Sequence, residues 1–577
     1  MKDLCSSNGK LIIFGTKESG KTILLDKVLI EITSKIEDYQ KLPVQIDFED
    51  IGTKRIETII SRYLKIGILE IPDYINNHTV LLLIDNLNFA KANLHNLNLL
   101  EKFLTENPSV QVIATSPQLY EEEFPLEVLE LSFYSNFRYA TIKSFNIKEI
   151  RALMENWFAN NDNFNKPTKL DSLLHVLLAL NLPRSPLAIS MFLWVLEQQE
   201  NYKPVNHATM LENFIERIFK KQSKIEIYSD VFDYKNKERL LTEIAFHMLN
   251  MDMDNYKLSF AELIDFVNNY LKAKRFEDFS TEAIINHFFD KGLLVKDYDG
   301  AETFIRFRFT CFFQYFLTKK MDFDAEFRDF VLSEDQFLKF NNEIDYFTGL
   351  KRDQSEILKI VVDRMNEAFK DILDETNSFD HGFDQMFLTN GSYIEKIETS
   401  TFIKKITSEK PNEQQVDKVK SQALESIKPE KGIAKKDEEI VGFKKFDRLW
   451  SLAAQVLKNT EETNEMYLKD KSYNDIIKCS MAFASLYKYK LDKFFEFNDK
   501  VNDRKVNSDL VQQLKIHHKV LPLIHQLVIR YLIGTKKLSS VIRDKIRKDL
   551  EDGSISDFEK YLSIFLYADL KGKDYID

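Results

Sequence analysis

The hydrophobic pattern changes character along the chain. In the first 150 residues, short continuous apolar runs alternate with helical periodicity. The runs are LIIF at 11–14, VQIDF at 44–48, VLLLID at 80–85, VQVIAT at 110–115 and YATIKS at 139–144. Between them lie helical stretches such as ILLDKVLIEIT, 53–66 and 92–106. Apolar runs without polar alternation predict strands covered on both faces, and their alternation with helices predicts a parallel sheet.

Beyond residue 150 the spacing becomes that of amphipathic helices. FNIKEIRALMENWF, LLTEIAFHMLN and SFAELIDFVNNYL read as helices, and TEAIINHFFDKGLLVKDYD reads as a helix ending in a turn and a strand. FIRFRFTCFFQYFLTKKM at 304–321 reads as a strand leading into a helix. There Phe312, Phe313, Phe316 and Leu317 share one face for burial. Residues 323–405 continue as helices, for example EILKIVVDRMNEAFKDIL. The stretch 406–440 loses most of its apolar residues and alternates Lys with Glu, as a charged linker or loop does. Helices return over 441–577 (FDRLWSLAAQVLK, DFEKYLSIFLYADL), without a fixed-period repeat.

Composition narrows this picture. A chain of 577 residues is too long for one core, so several domains are expected. It holds 15 Gly and 12 Pro, against roughly 40 and 29 at average usage, which favours long helices over turn-rich β folds. The expected fold is an α/β domain with a parallel sheet, followed by an α-helical domain and a large α-helical C-terminal region. With 80 basic and 91 acidic residues the net charge is −11, which disfavours nucleic acid as a partner. Cys5, Cys311 and Cys479 are too dispersed for a metal knuckle or a disulfide framework, as in reduced cytoplasmic proteins. No run approaches the roughly 18 to 20 apolar residues that span a bilayer, so no membrane contact is expected.

One motif carries legible chemistry. Gly15-Thr16-Lys17-Glu18-Ser19-Gly20-Lys21-Thr22 matches GxxxxGK[ST] at every fixed position, between a strand and a helix. Gly15 and Gly20 let the backbone curl so that N–H groups face phosphate oxygens. Lys21 supplies a mobile positive charge for the β- and γ-phosphates, and Thr22 a hydroxyl for Mg²⁺. Asp85, ending VLLLID, is placed to hold the same Mg²⁺. Thr115, ending the next strand, is a candidate sensor of the γ-phosphate. Candidate nucleotide-binding residues are therefore Gly15, Lys17, Glu18, Ser19, Gly20, Lys21, Thr22, Asp85 and Thr115, with ATP or ADP and Mg²⁺ as cofactors.

The order P-loop, VLLLIDNL, VIATSP, FNIKEIRALMENWF, LPRSPLAISMFLWVLEQ and FIRFRFTCFFQYFLTKKM resembles the STAND class of signalling NTPases, which includes NACHT-like bacterial defence proteins. The resemblance spans about residues 8–325. It implies a P-loop domain over 1–145, a small helical domain over 146–230 and a winged-helix domain over 231–322. Helices over 323–405 would follow, then the linker and a C-terminal sensor over 441–577. It also implies that Pro186, in Ser185-Pro186-Leu187, packs near the adenine; alternatively Pro186 only opens a helix. What the class implies is an ATP/ADP switch that opens and homo-oligomerises when its C-terminal half meets a trigger, expected to be a protein.

Two positions depart from the class. Asp85-Asn86-Leu87-Asn88-Phe89 has amides and a ring where many members carry a further acid, and an amide cannot accept a proton from water. The winged-helix His is replaced by Phe309 or Arg308. Binding with slow hydrolysis, a weak ATPase at most, is expected. No effector module is recognisable before the first strand, so a separate effector chain is one expectation, and output through the C-terminal helices another. The alternatives are a structural adaptor with a degenerate P-loop, or an active ATPase that remodels a macromolecule.

Overall fold

The computed structural model describes residues 2–6, 9–15, 18–89, 93–116, 137–159, 166–197, 206–220, 232–251, 256–276, 279–299, 302–377, 417–418, 420–421, 442–500, 514, 528–530, 532–553, 555 and 557–571. The chain divides into two compact units. The first comprises residues 1–202, 257–306 and 413–429, and the second 203–256, 307–412 and 430–577.

The first unit is built on five strands: β1 (Lys10–Phe14), β2 (Leu42–Asp47), β3 (Val80–Asp85), β4 (Gln111–Ser116) and β5 (Arg138–Thr141). They lie in the order β2-β3-β4-β1-β5, every pair parallel. All six residues of β3 are buried, because both faces of the sheet are covered. On one face Leu82 and Ile84 join Val44, Val112 and Leu100. On the other Leu81 and Leu83 meet Leu25, Val28 and Ile32 of helix α1 (Lys21–Ser34). The exposed edge is β5, short and opened by Arg138, which discourages further pairing.

Three further helices of this unit are α2 (Leu94–Glu106), α3 (Ile147–Trp157) and α4 (Pro186–Glu197), the last of which reaches the site. Helix α3 starts at a capping box. Asn146 accepts from the backbone of Lys148 and Glu149, while the Glu149 carboxylate accepts from the Asn146 N–H. Helix α4 begins with Ser185, whose Oγ accepts from Ala188 N at 3.3 Å, and with Pro186 at the first helical position, where its missing N–H costs nothing. A second, three-stranded sheet, β6 (Leu258–Ser259), β7 (Leu294–Asp299) and β8 (Glu302–Phe307), has the order β6-β8-β7, with β6 antiparallel to β8. Helices Phe260–Ala273 and Thr281–Asp290 precede β7, each started by a serine cap, Ser259 and Ser280.

The second unit is helical among its described residues, as the low Gly and Pro content leads one to expect. Its centre is helix Thr310–Phe323. The sequence places Phe312, Phe313, Phe316 and Leu317 on one buried face, yet the helix is buried nearly all round, with Cys311, Tyr315, Thr318, Lys320 and Met321 covered as well. Helices Tyr234–Asn250, Asn341–Leu350 and His207–Lys220 enclose it, so its polar faces meet protein rather than water. Rings stack around it: Phe214 against Phe312 at 5.7 Å, Tyr256 against Phe313 at 4.9 Å. Phe309 is buried with its ring 5.1 Å from that of Phe312. The cysteines are buried and unpaired, and burial pushes the Cys479 thiol up to about 12, away from the thiolate that would react.

Of 406–440, the described residues Asp417, Lys418, Lys420 and Ser421 are helical; the remainder of that stretch lies outside the described residues. Arg151 Nη1 donates to Asp417 Oδ2 at 2.8 Å, and Lys420 pairs with Asp171. The Arg151 hydrogen bond and charge hold the Asp417 carboxyl below its ordinary value. Among the described residues no helix is long and apolar enough to cross a membrane.

Candidate functional site

The carboxyl ends of β1, β3 and β4 converge at the start of α1. Gly15 leaves β1 with its N–H donating to Ser116 O at 3.2 Å, which ties the loop to β4. The loop needs glycine at its two fixed positions. A Cβ on Gly15 would lie 2.6 Å from Ser19 Oγ, and Gly20 sits at φ +91°, a left-handed conformation that other residues rarely adopt. Glu18 also has positive φ, +68°. The chain thus coils tightly before α1 opens. Thr16 and Lys17 lie outside the described residues.

Lys21, the first residue of α1, is 8% exposed, and its Nζ donates to Gly15 O at 2.8 Å. Its charge is folded back onto the loop. Ser19 Oγ is buried and has no hydrogen-bond partner among the described residues, an arrangement disfavoured unless something completes it. Thr22 Oγ1 donates to Asp85 Oδ2 at 2.7 Å, joining residues 63 positions apart. Asp85 is buried and takes three hydrogen bonds. Its Oδ1 accepts from Thr115 Oγ1 and, at 3.1 Å, from the Asn86 N–H. Thr115, wholly buried, thus turns its hydroxyl toward Asp85.

A tight loop whose side chain Ser19 is left unsatisfied fits a polyphosphate, since inward N–H groups and an ammonium are what phosphate oxygens require. Thr22 and Asp85 present hard oxygen donors within hydrogen-bond distance of each other, the type of ligand Mg²⁺ takes. Pro186 belongs to the same region: a Cβ on Gly20 would sit 3.7 Å from Pro186 Cγ. Pro186 therefore opens α4 and also stands beside the loop.

The sequence does not single out Asp47 or Asn86 as partners. Strands β2 and β3 are neighbours in a register that sets Asp47 opposite Asp85. Asn86, at φ +60°, donates from Nδ2 to Asp47 Oδ2 at 3.0 Å. Asp47 Oδ1 accepts from Glu49 N at 2.9 Å, capping the 3₁₀ turn Phe48–Gly52. The available signal was that VQIDF, like VLLLID, places Asp at the end of an apolar run.

Residues 256–317 match the family model described as Novel STAND NTPase 4. That stretch holds β6, β7, β8 and the first half of helix Thr310–Phe323, including most of FIRFRFTCFFQYFLTKKM. No curated protein matches the chain. Among solved structures, the Aeropyrum pernix ORC2 protein (ADPNP–ADP complexes) is 12% identical, with 57% of this chain and 92% of that one covered and a TM-score of 0.27. The Aeropyrum pernix ORC1 protein in complex with DNA is 13% identical, with 55% and 88% covered and a TM-score of 0.31. AMPPCP-bound DnaA from Aquifex aeolicus is 14% identical, with 50% and 83% covered and a TM-score of 0.27. Likeness of that size has no functional weight. The chain thus carries a complete GxxxxGK[ST] motif at the end of a strand of a parallel sheet and, over residues 256–317, is similar to the STAND NTPases.

Proposed function

We propose that the chain is a nucleotide-controlled molecular switch that binds ATP or ADP at the loop Gly15–Thr22 and hydrolyses ATP slowly. The observation that carries this reading is the loop itself: Ser19 Oγ buried without a partner, with Lys21 Nζ turned onto Gly15 O at 2.8 Å. When phosphate enters, Lys21 exchanges that carbonyl for phosphate oxygens, and Ser19 gains an acceptor. Gly15, Glu18 and Gly20 shape the loop, and Thr115 holds Asp85 in place. A bound Mg²⁺ would supply charge neutralisation between Thr22 and Asp85. Pro186 adds an apolar contact beside Gly20, so a nucleotide there touches both the sheet and α4.

A ligand that bridges two elements favours the arrangement in which all its contacts form, in proportion to its differential affinity. The layout proposed is a P-loop domain (1–145), a helical domain (146–230), a winged helix (231–322), further helices (323–405), a linker (406–440) and a sensor (441–577). The antiparallel sheet β6-β8-β7, preceded by the helices that Ser259 and Ser280 cap, supports the winged helix. The C-terminal helices would receive a protein trigger, and the opened chain would homo-oligomerise and act in bacterial defence or signalling in the cytoplasm through a separate effector.

Two measurements test this. Nucleotide extracted from the purified protein should be ATP or ADP, and Lys21→Ala should abolish it; an unchanged yield from that variant refutes the switch. Particle mass with ADP, with ATP and with neither should differ, whereas one mass across all three removes oligomerisation.

A further inference from the structure

Asn86 occupies the place beside Asp85 where a proton acceptor for the attacking water is expected, and an amide cannot be one. Asp85 takes three hydrogen bonds, from Thr22, Thr115 and the Asn86 N–H, and its remaining capacity lies beside Thr22, where Mg²⁺ would be held. The adjacent strand supplies a carboxylate. Asp47 lies opposite Asp85 in the β2–β3 register, about 4.8 Å away by ordinary strand spacing. Each of its oxygens accepts one bond, from Glu49 N and from Asn86 Nδ2, so lone pairs remain on both. Asn86 reaches it from a left-handed backbone conformation that costs free energy and that clusters at functional sites. Both side chains sit at the carboxyl edge of the sheet, where ligands of open α/β sheets bind, and Asn86 is exposed.

We propose that Asp47 is the proton acceptor for nucleotide hydrolysis and that Asn86 positions both Asp47 and the attacking water. This rests on the nucleotide-binding reading above. In the step, a water oxygen forms a bond to the γ-phosphorus and the bond from that phosphorus to the β–γ bridging oxygen breaks. The electron pair of that bond leaves with the diphosphate. The water proton passes to the Asp47 carboxylate and then to solvent. Nothing is oxidised or reduced. Placing the acceptor one strand beyond Asp85 lengthens its reach and accounts for slow turnover without abolishing it.

The test uses the full chain, Mg²⁺ and ATP labelled at the γ-phosphate, in single turnover, together with the identity of the nucleotide that the purified protein retains. Asp47→Asn keeps the cap, because Asn also accepts from Glu49 N. It should slow conversion about 100-fold or more and shift the retained nucleotide from ADP to ATP, with ATP affinity changed less than about threefold. The double variant Asp47→Asn/Asn86→Asp returns a carboxylate to the pair and should recover at least about tenfold of that loss. Wild-type speed in Asp47→Asn overturns the assignment, as does a loss that Asn86→Asp leaves unrelieved. A wild-type protein that binds ATP and never converts it also overturns it, while leaving nucleotide binding intact. A protein that binds no nucleotide removes both readings.

Discussion

The phosphate loop and the cluster around Glu238 are two polar regions in a largely apolar molecule, and they are satisfied in opposite ways. Glu238 is 7% exposed and accepts from Tyr234 at 2.9 Å, Tyr315 at 3.0 Å and Lys235 at 3.0 Å, with Lys319 at 3.7 Å bridging on to Glu212. Burial pushes its carboxyl up, but Lys319, Lys235 and Tyr234 outweigh burial and leave it below its ordinary value. Every oxygen is answered from within. Around Gly15–Thr22, by contrast, Ser19 is unanswered and Lys21 rests on its own loop. A closed network stabilises a fold, whereas an open one leaves capacity for a ligand.

That contrast can be broken by substitution. The largest effect is expected for Glu238→Ala, which removes the acceptor of the buried Tyr315 hydroxyl and the half-buried Tyr234 hydroxyl and leaves Lys319 with Glu212 alone. Chemical denaturation should show a loss of about 3–5 kcal/mol, with ATP affinity unaltered. A parallel fall in affinity would mean that the cluster is part of the switch. Lys21→Ala should do the reverse, weakening ATP binding about 100-fold, or about 3 kcal/mol, as titration calorimetry would read it, with the melting temperature nearly unchanged. Thr22→Val keeps the shape but removes the hydroxyl. It should cost about 1–2 kcal/mol of ATP affinity with Mg²⁺ present and far less without it.

The smallest effect concerns pH. Because Arg151 lowers the Asp417 carboxyl in the folded state, the stabilisation is present above the unfolded value near ~3.9 and is lost as pH falls through the folded one. Asp417→Asn should cost less than about 1 kcal/mol at neutral pH, and acid titration should bring the two proteins together only as pH falls below the lowered folded value. A difference that persists in acid would show that the contact is held by packing rather than by charge.

Much of the sheet was legible because a strand covered on both faces has a distinctive composition. LIIF, VQIDF, VLLLID and VQVIAT each match an observed strand with ends no more than two residues apart. Lys21, Thr22 and Asp85 stand out in the sequence because the motif sets them at the end of a strand or in the first turn of a helix, and the structure puts them at those positions. Burial of helix Thr310–Phe323 on all sides was not legible, since periodicity reports which face is apolar and says nothing about how many neighbours enclose the others.

Local sequence carries the phosphate-loop motif, the alternation of strands and helices in the first 150 residues, and a helix-rich remainder. Only the tertiary structure decided which strand ends meet. Asp47 becomes a candidate because β2 lies beside β3, in a register that sets it opposite Asp85 and within 3.0 Å of the Asn86 amide. Pro186 comes to stand by Gly20 across 166 positions of chain because α4 packs there. Strand order and helix docking arise from burial summed over many residues, and no short stretch of sequence contains that sum.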